Sequence, residues 1–146
     1  MFYTILALHL LGAAIWTGGH LVLAFTVLPR ALRARDPRVL TDFEAGYERL
    51  GIPALLLQVA TGLWLAFHVV PDWRGWFSFS DPVAAAVGVK LALLAATAAL
   101  ALNARFRVIP TLSAETLPLM GWHIRGVTLL SVLFILAGAF IRTGGL

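Results

Sequence analysis

Residues 2–28 form one apolar run, and two histidines, His9 and His20, lie inside it. About 20 apolar residues in a helix span the hydrocarbon of a bilayer, so the run is long enough to cross a membrane. Ionisable side chains are costly there; they turn to the bundle interior and mark a site. The two histidines are eleven positions apart, which at 100° per residue returns to within about 20° of the same face, roughly 16 Å further along the axis. His9, Trp16 and His20 therefore share one stripe, flanked by Gly12, Ala13 and Gly19. Small residues in those places let a second helix, or a flat ligand, come close.

The rest of the chain reads as three more spans closing around that stripe. Apolar segments at about 52–70, 83–103 and 120–141 give, with 2–28, an all-α membrane protein: a four-transmembrane-helix bundle in a single domain, 1–146. Pro29 and Arg30 are expected to end the first helix. Asp36-Pro37 reads as an N-cap with proline at the first helical position. It opens a short amphipathic helix over about 37–50, on the membrane surface, with Phe43, Tyr47 and Leu50 at helical spacing. Gly51 and Pro53 start the second span and Pro71 ends it. An aromatic loop over 71–82 carries Trp73, Trp76, Phe77 and Phe79, as membrane interfaces do. Pro110 closes the third span. No internal repeat stands out.

Hydrophobic residues make up 60% of the chain and charged residues 12%, which excludes a soluble globular domain. The absence of cysteine excludes disulfides, thiolate metal sites and cysteine nucleophiles. A net charge of +4 raises nucleic acid as a partner. The basic residues instead flank apolar runs, where they set topology, so no nucleic-acid partner is expected. Arg30, Arg33, Arg35, Arg38, Arg49, Arg105, Arg107 and Arg125 fall on one side, Arg74 and Arg142 on the other. Positive-inside counting makes the first side cytoplasmic, with both termini periplasmic, in a multi-pass protein of the bacterial inner membrane. The first run lacks the basic n-region of a cleaved leader and reads as a retained helix.

Depth then groups the polar residues. His9 and Lys90 lie six or seven residues inside the same boundary, with His68 shallower on that side. His20 lies in the other half, where His123 and Arg125 begin the last helix. Nitrogen bases gathered in an apolar bundle suit a haem, whose iron takes axial imidazole and whose macrocycle fills a slot lined by small residues. A copper ion also accepts imidazole, although Met1 and Met120 are a thin supply of soft ligands. A proton path is the third option. The plain alternatives are helix–helix hydrogen bonding for His9 and His20, solvated interfacial positions for His68 and His123, and snorkelling for Lys90.

Leu8-His9-Leu10-Leu11-Gly12, Trp16-Thr17-Gly18-Gly19 and Leu28-Pro29-Arg30 resemble the first helix of the CopD-like membrane family, the copper resistance protein D domain. Thr61-Gly62-Leu63, Gly88-Val89-Lys90-Leu91 and Leu102-Asn103-Ala104-Arg105 are similar to its later segments. The first-helix His and third-helix Lys also resemble the HemJ-type haem b membrane proteins. The first resemblance implies copper uptake or tolerance; the second implies haem b, porphyrinogen oxidation, and His9 and Lys90 as the positions carried over.

The expectation is a membrane protein binding haem b for electron transfer or redox chemistry, a haem-dependent oxidoreductase being the enzyme it would be. His9 is the first ligand, with His68 or Lys90 opposite; Gly12, Trp16 and Gly19 line the cofactor. A second haem on His20 and His123 is the further option, weakened by depths that differ by several ångströms. Copper binding or transport through His9 and His68 is the alternative, and a structural subunit of a respiratory complex the second. The lipid bilayer is the expected partner, with a quinone or a periplasmic redox protein, and self-association, as further candidates.

Overall fold

A computed structural model of the chain describes residues 1–78 and 81–143, without the side chain of Arg142. Phe79, Ser80 and the Arg142 side chain, which entered the sequence reading, lie outside the described residues. The first span comprises α1 (Phe2–Val22), a π-helical turn (Leu23–Val27) and α2 (Leu28–Ala34). The second is α3 (Arg38–Val69). The third comprises α4 (Pro82–Asn103), a second π-helical turn (Ala104–Val108) and a 3₁₀ turn (Ile109–Thr111); the fourth is α5 (Leu117–Arg142). All four are long and apolar enough to cross a membrane, and no strand occurs among the described residues.

Two prolines expected at helix boundaries lie inside helical spans instead: Pro29, expected to end the first, and Pro53, expected to start the second; Pro110 falls one residue before the third span ends at Thr111. Pro29 lies in the first turn of α2 and Pro110 in the 3₁₀ turn, each two residues beyond a π-helical turn. A proline removes one backbone donor and crowds the preceding turn, and the wider π turn gives that crowding room. Pro53 lies inside α3, so the amphipathic segment expected as a separate interfacial helix over 37–50 continues into the second span without a break. In lipid an interrupted backbone leaves polar groups without water, which costs more than a strained turn. At 32 residues α3 is about 48 Å long, so its amphipathic beginning projects beyond a hydrocarbon layer of about 30 Å.

The real breaks fall where local chemistry can close a helix. Arg35, in the left-handed conformation at φ 53°, ends α2, and the Asp36 amide donates back to the Ala31 carbonyl. Asp36 then accepts from Arg38 through backbone and guanidinium, which holds its carboxyl below the usual range. Between α3 and α4, a 3₁₀ turn (Trp73–Phe77) buries Trp76, whose indole donates to the Val70 carbonyl at 2.9 Å. Asp81 caps α4, accepting from the Val83 and Ala84 amides.

Around the bundle, α1 packs on α3 on one side and α5 on the other, and α4 packs on α5. The chain therefore runs α3–α1–α5–α4 about the perimeter, with α1 and α4 diagonal. The large buried apolar residues, Leu28, Leu40, Val108, Leu117, Met120 and Ile124 among them, form one cluster at the arginine-rich end. Toward the opposite end the buried positions are mostly small: Gly12, Ala54, Thr61, Ala84, Ala86 and Gly88.

Candidate functional site

His9 meets α3 through its ring. Its Nδ1 lies 3.0 Å from the Gln58 carbonyl and 3.0 Å from the Thr61 hydroxyl. A carbonyl only accepts, and the Thr61 hydroxyl donates its own proton to the Leu57 carbonyl at 2.6 Å. Nδ1 must therefore carry the proton, and Nε2 of the neutral ring keeps its lone pair. This is the arrangement by which proteins orient a ligating imidazole, the far nitrogen held by a backbone carbonyl. The ring lies over Gly62, where a Cβ would come within 3.0 Å of His9 Cε1.

Lys90 approaches from α4. Its Nζ occupies the space beside Gly138 of α5, 3.2 Å from where a Cβ would stand. No carboxylate pairs with it; the one ion pair among the described residues is Arg38–Asp36. Gln58 Oε1 is buried without a hydrogen-bond partner, alone among the described side-chain atoms in that respect. The half of the bundle away from the arginine-rich end thus holds an imidazole lone pair, an unpaired cation and an unsatisfied amide oxygen.

The other expected residues lie apart from this group. His68 is exposed and stacks on Trp64 at 5.2 Å, against Phe2 at 5.0 Å. His20 donates from Nδ1 to the Trp16 carbonyl at 2.9 Å, with its ring 4.3 Å from that of Trp16. His123 is held at both nitrogens, by the Leu119 carbonyl at 3.0 Å and the Asn103 side chain at 2.9 Å, and does not pair with His20. Gly12 admits the α3 backbone: a Cβ there would lie 2.9 Å from the Ala54 carbonyl oxygen. Gly19 admits the ring of Tyr47, which also lies against Gly51. The space at both glycines is thus taken by the chain itself. Among the described residues no three His, Asp or Glu side chains cluster as a metal ion would need.

Known families, curated proteins and solved structures contain no match to this chain. The site is read on its own chemistry.

Two residues of that chemistry are not evident from sequence patterns. Tyr47 donates to the Ile15 carbonyl at 2.9 Å and fixes the spacing of α1 and α3; its place in a segment read as interfacial hid this. Gln58 reads as a helix–helix hydrogen bonder, and its backbone carbonyl holds His9 while its side-chain oxygen goes unmet. A surface groove of about 590 Å³ lies elsewhere, along Pro82, Ala86, Val89, Ala137 and Phe140. It is almost wholly apolar and contains neither His9 nor Lys90.

Proposed function

We propose that the chain binds one haem b in the half of the bundle away from the arginine-rich end and serves electron transfer or redox chemistry in the membrane. The observation that carries the reading is the tautomer of His9: Nδ1–H bound to the Gln58 carbonyl leaves Nε2 as a basic nitrogen directed away from α3's backbone. The residues fit the group. His9 would ligate the iron, and Lys90 would supply the positive charge that propionates need. A lysine inside a bundle with no carboxylate of its own is otherwise unpaired in a medium where that is expensive. Bound haem supplies one-electron iron chemistry, its potential tuned by axial ligand and burial. By positive-inside counting the arginine-rich end is cytoplasmic and the haem lies toward the periplasmic side of a bacterial inner membrane.

The test is an absorption spectrum of protein purified in detergent from haem-replete cells. A Soret band, one haem per chain by pyridine haemochrome, and loss of both in His9→Ala are expected. A colourless wild-type preparation would refute the reading; copper accumulation dependent on His9 would then replace it with metal transport.

A further inference from the structure

The two π-helical turns are 81 residues apart, 23 to 104 and 27 to 108. The same offset superimposes Phe25-Thr26-Val27-Leu28-Pro29 on Phe106-Arg107-Val108-Ile109-Pro110, with three identities and a Leu–Ile exchange in five positions. It also superimposes His9 on Lys90. Each of these two side chains lies against a glycine of the next span, Gly62 and Gly138 respectively. Phe25 and Phe106, equivalent again, are 75% and 73% exposed. The perimeter order α3–α1–α5–α4 puts α1 opposite α4 and α3 opposite α5, as a two-fold axis through the bundle demands. The α1–α3 and α4–α5 hairpins thus share a π-turn position and a short segment across a pseudo-two-fold arrangement.

That symmetry is broken in one place. The axis maps the α1–α5 contact onto α4–α3. The α1–α5 seam is closed, with Thr128 donating to the His20 carbonyl at 3.2 Å and Thr17 to the Ser131 carbonyl at 3.5 Å. Its counterpart is open: α3 and α4 meet at most marginally, and among the described residues no hydrogen bond or ring contact joins them. His9 lies against Gly62 of α3, Lys90 of α4 lies against Gly138 of α5, and the unpartnered Gln58 oxygen belongs to α3. A helical wheel turns Val59 and Ala66 of α3 and Leu94 of α4 toward the open seam, and all three are half-buried.

We propose that the open α3–α4 seam is a lateral portal by which a flat, lipid-soluble macrocycle carrying anionic groups passes from the bilayer to the axis between the two hairpins. The proposal rests on the haem reading for the ligand's shape and charge, and not on an iron–histidine bond. The closed α1–α5 seam excludes the ligand from the other side, and Lys90 draws the anionic edge inward. Val59, next to Gln58 at the level of His9, and Leu94, one turn from Lys90, flank the path.

The chain has no cysteine, so Val59→Cys/Leu94→Cys provides a unique thiol pair. The full-length variant in nanodiscs is treated with a flexible bis-maleimide before or after addition of a probe. The probes are haemin and metal-free protoporphyrin IX. Cross-linking before addition is expected to slow uptake of both by at least about tenfold, and cross-linking after loading to slow their release alike. Equal uptake with and without the cross-link would overturn the portal. Protoporphyrin uptake blocked by the cross-link, with haemin giving no His9-dependent Soret band, would uphold the portal and refute the haem reading. Failure of both probes to bind the untreated variant and the wild type would overturn both.

Discussion

The two glycine seats make different demands, and the difference is measurable. In Gly62→Ala the new Cβ would stand 3.0 Å from His9 Cε1 and 3.5 Å from Nδ1. Carbon atoms settle at about 3.5–4.0 Å, so the ring must retreat by about 0.5 Å or more. Its two hydrogen bonds are each 3.0 Å long and would reach the outer limit for such bonds. Overpacking of this kind costs about 1–3 kcal/mol, and alanine's better helix propensity returns about 1. A net loss of about 0–2 kcal/mol follows, with weakened ligand affinity because Nε2 is re-aimed. In Gly138→Ala the nearest atoms are Lys90 Nζ at 3.2 Å and Cε at 3.8 Å. These are the far end of a flexible stem that can swing aside at little cost. That variant should be neutral or slightly more stable. Unfolding in mixed SDS–detergent micelles gives the stabilities, and haemin titration at the Soret band gives the affinities. Gly138→Ala as damaging as Gly62→Ala would refute the reasoning, because it would mean that contact distance, and not the stiffness of the neighbour, decides the outcome.

Asp81→Ala removes the acceptor for two α4 amides and should cost about 1 kcal/mol, with Asp81→Ser recovering most of it in the same unfolding assay. Gly19→Ala should destabilise by pressing on the Tyr47 ring, and a smaller residue in Tyr47→Leu should suppress that defect, so the double variant loses less than the two single losses together. Asp36 and Glu115 both have carboxyls held low, the first by Arg38 and the second by the Ser113 hydroxyl. Their contribution to stability is present above the ordinary carboxylate range and is lost as pH falls through the lowered values. Asp36→Asn and Glu115→Gln should therefore flatten the acid limb of a stability–pH curve and leave its neutral part unchanged in shape.

Composition and run length made the four spans legible, because an apolar helix of about 20 residues has few other uses. Depth counting also put His9 and Lys90 in the same half of the bundle, where His9 lies against Gly62 and Lys90 against Gly138. The boundaries were misread at Pro29, expected to end the first span, and at Pro53, expected to start the second, since proline's power to stop a helix is greatest where water can satisfy the backbone it frees. The glycines beside the histidine stripe signalled close approach correctly but not by what: Gly12 receives a backbone and Gly19 a tyrosine. Nothing in residue types alone separates those occupants from a ligand. The matching π-turn positions went unseen because lipid-facing positions accept any apolar residue; the two hairpins have in common only a Phe-x-Val-(Leu/Ile)-Pro segment and the place of that turn.

A π-helical turn amounts to one extra residue accommodated without leaving the helix, and it advances everything below it by about 100°. Leu23–Val27 and Ala104–Val108 apply that phase correction at the same distance from His9 and from Lys90. The faces carrying the arginines of the first and third spans are thereby uncoupled from the faces carrying the two nitrogen bases. Deleting a single residue from either turn would leave the composition almost untouched and turn one base out of phase with its own anchoring end.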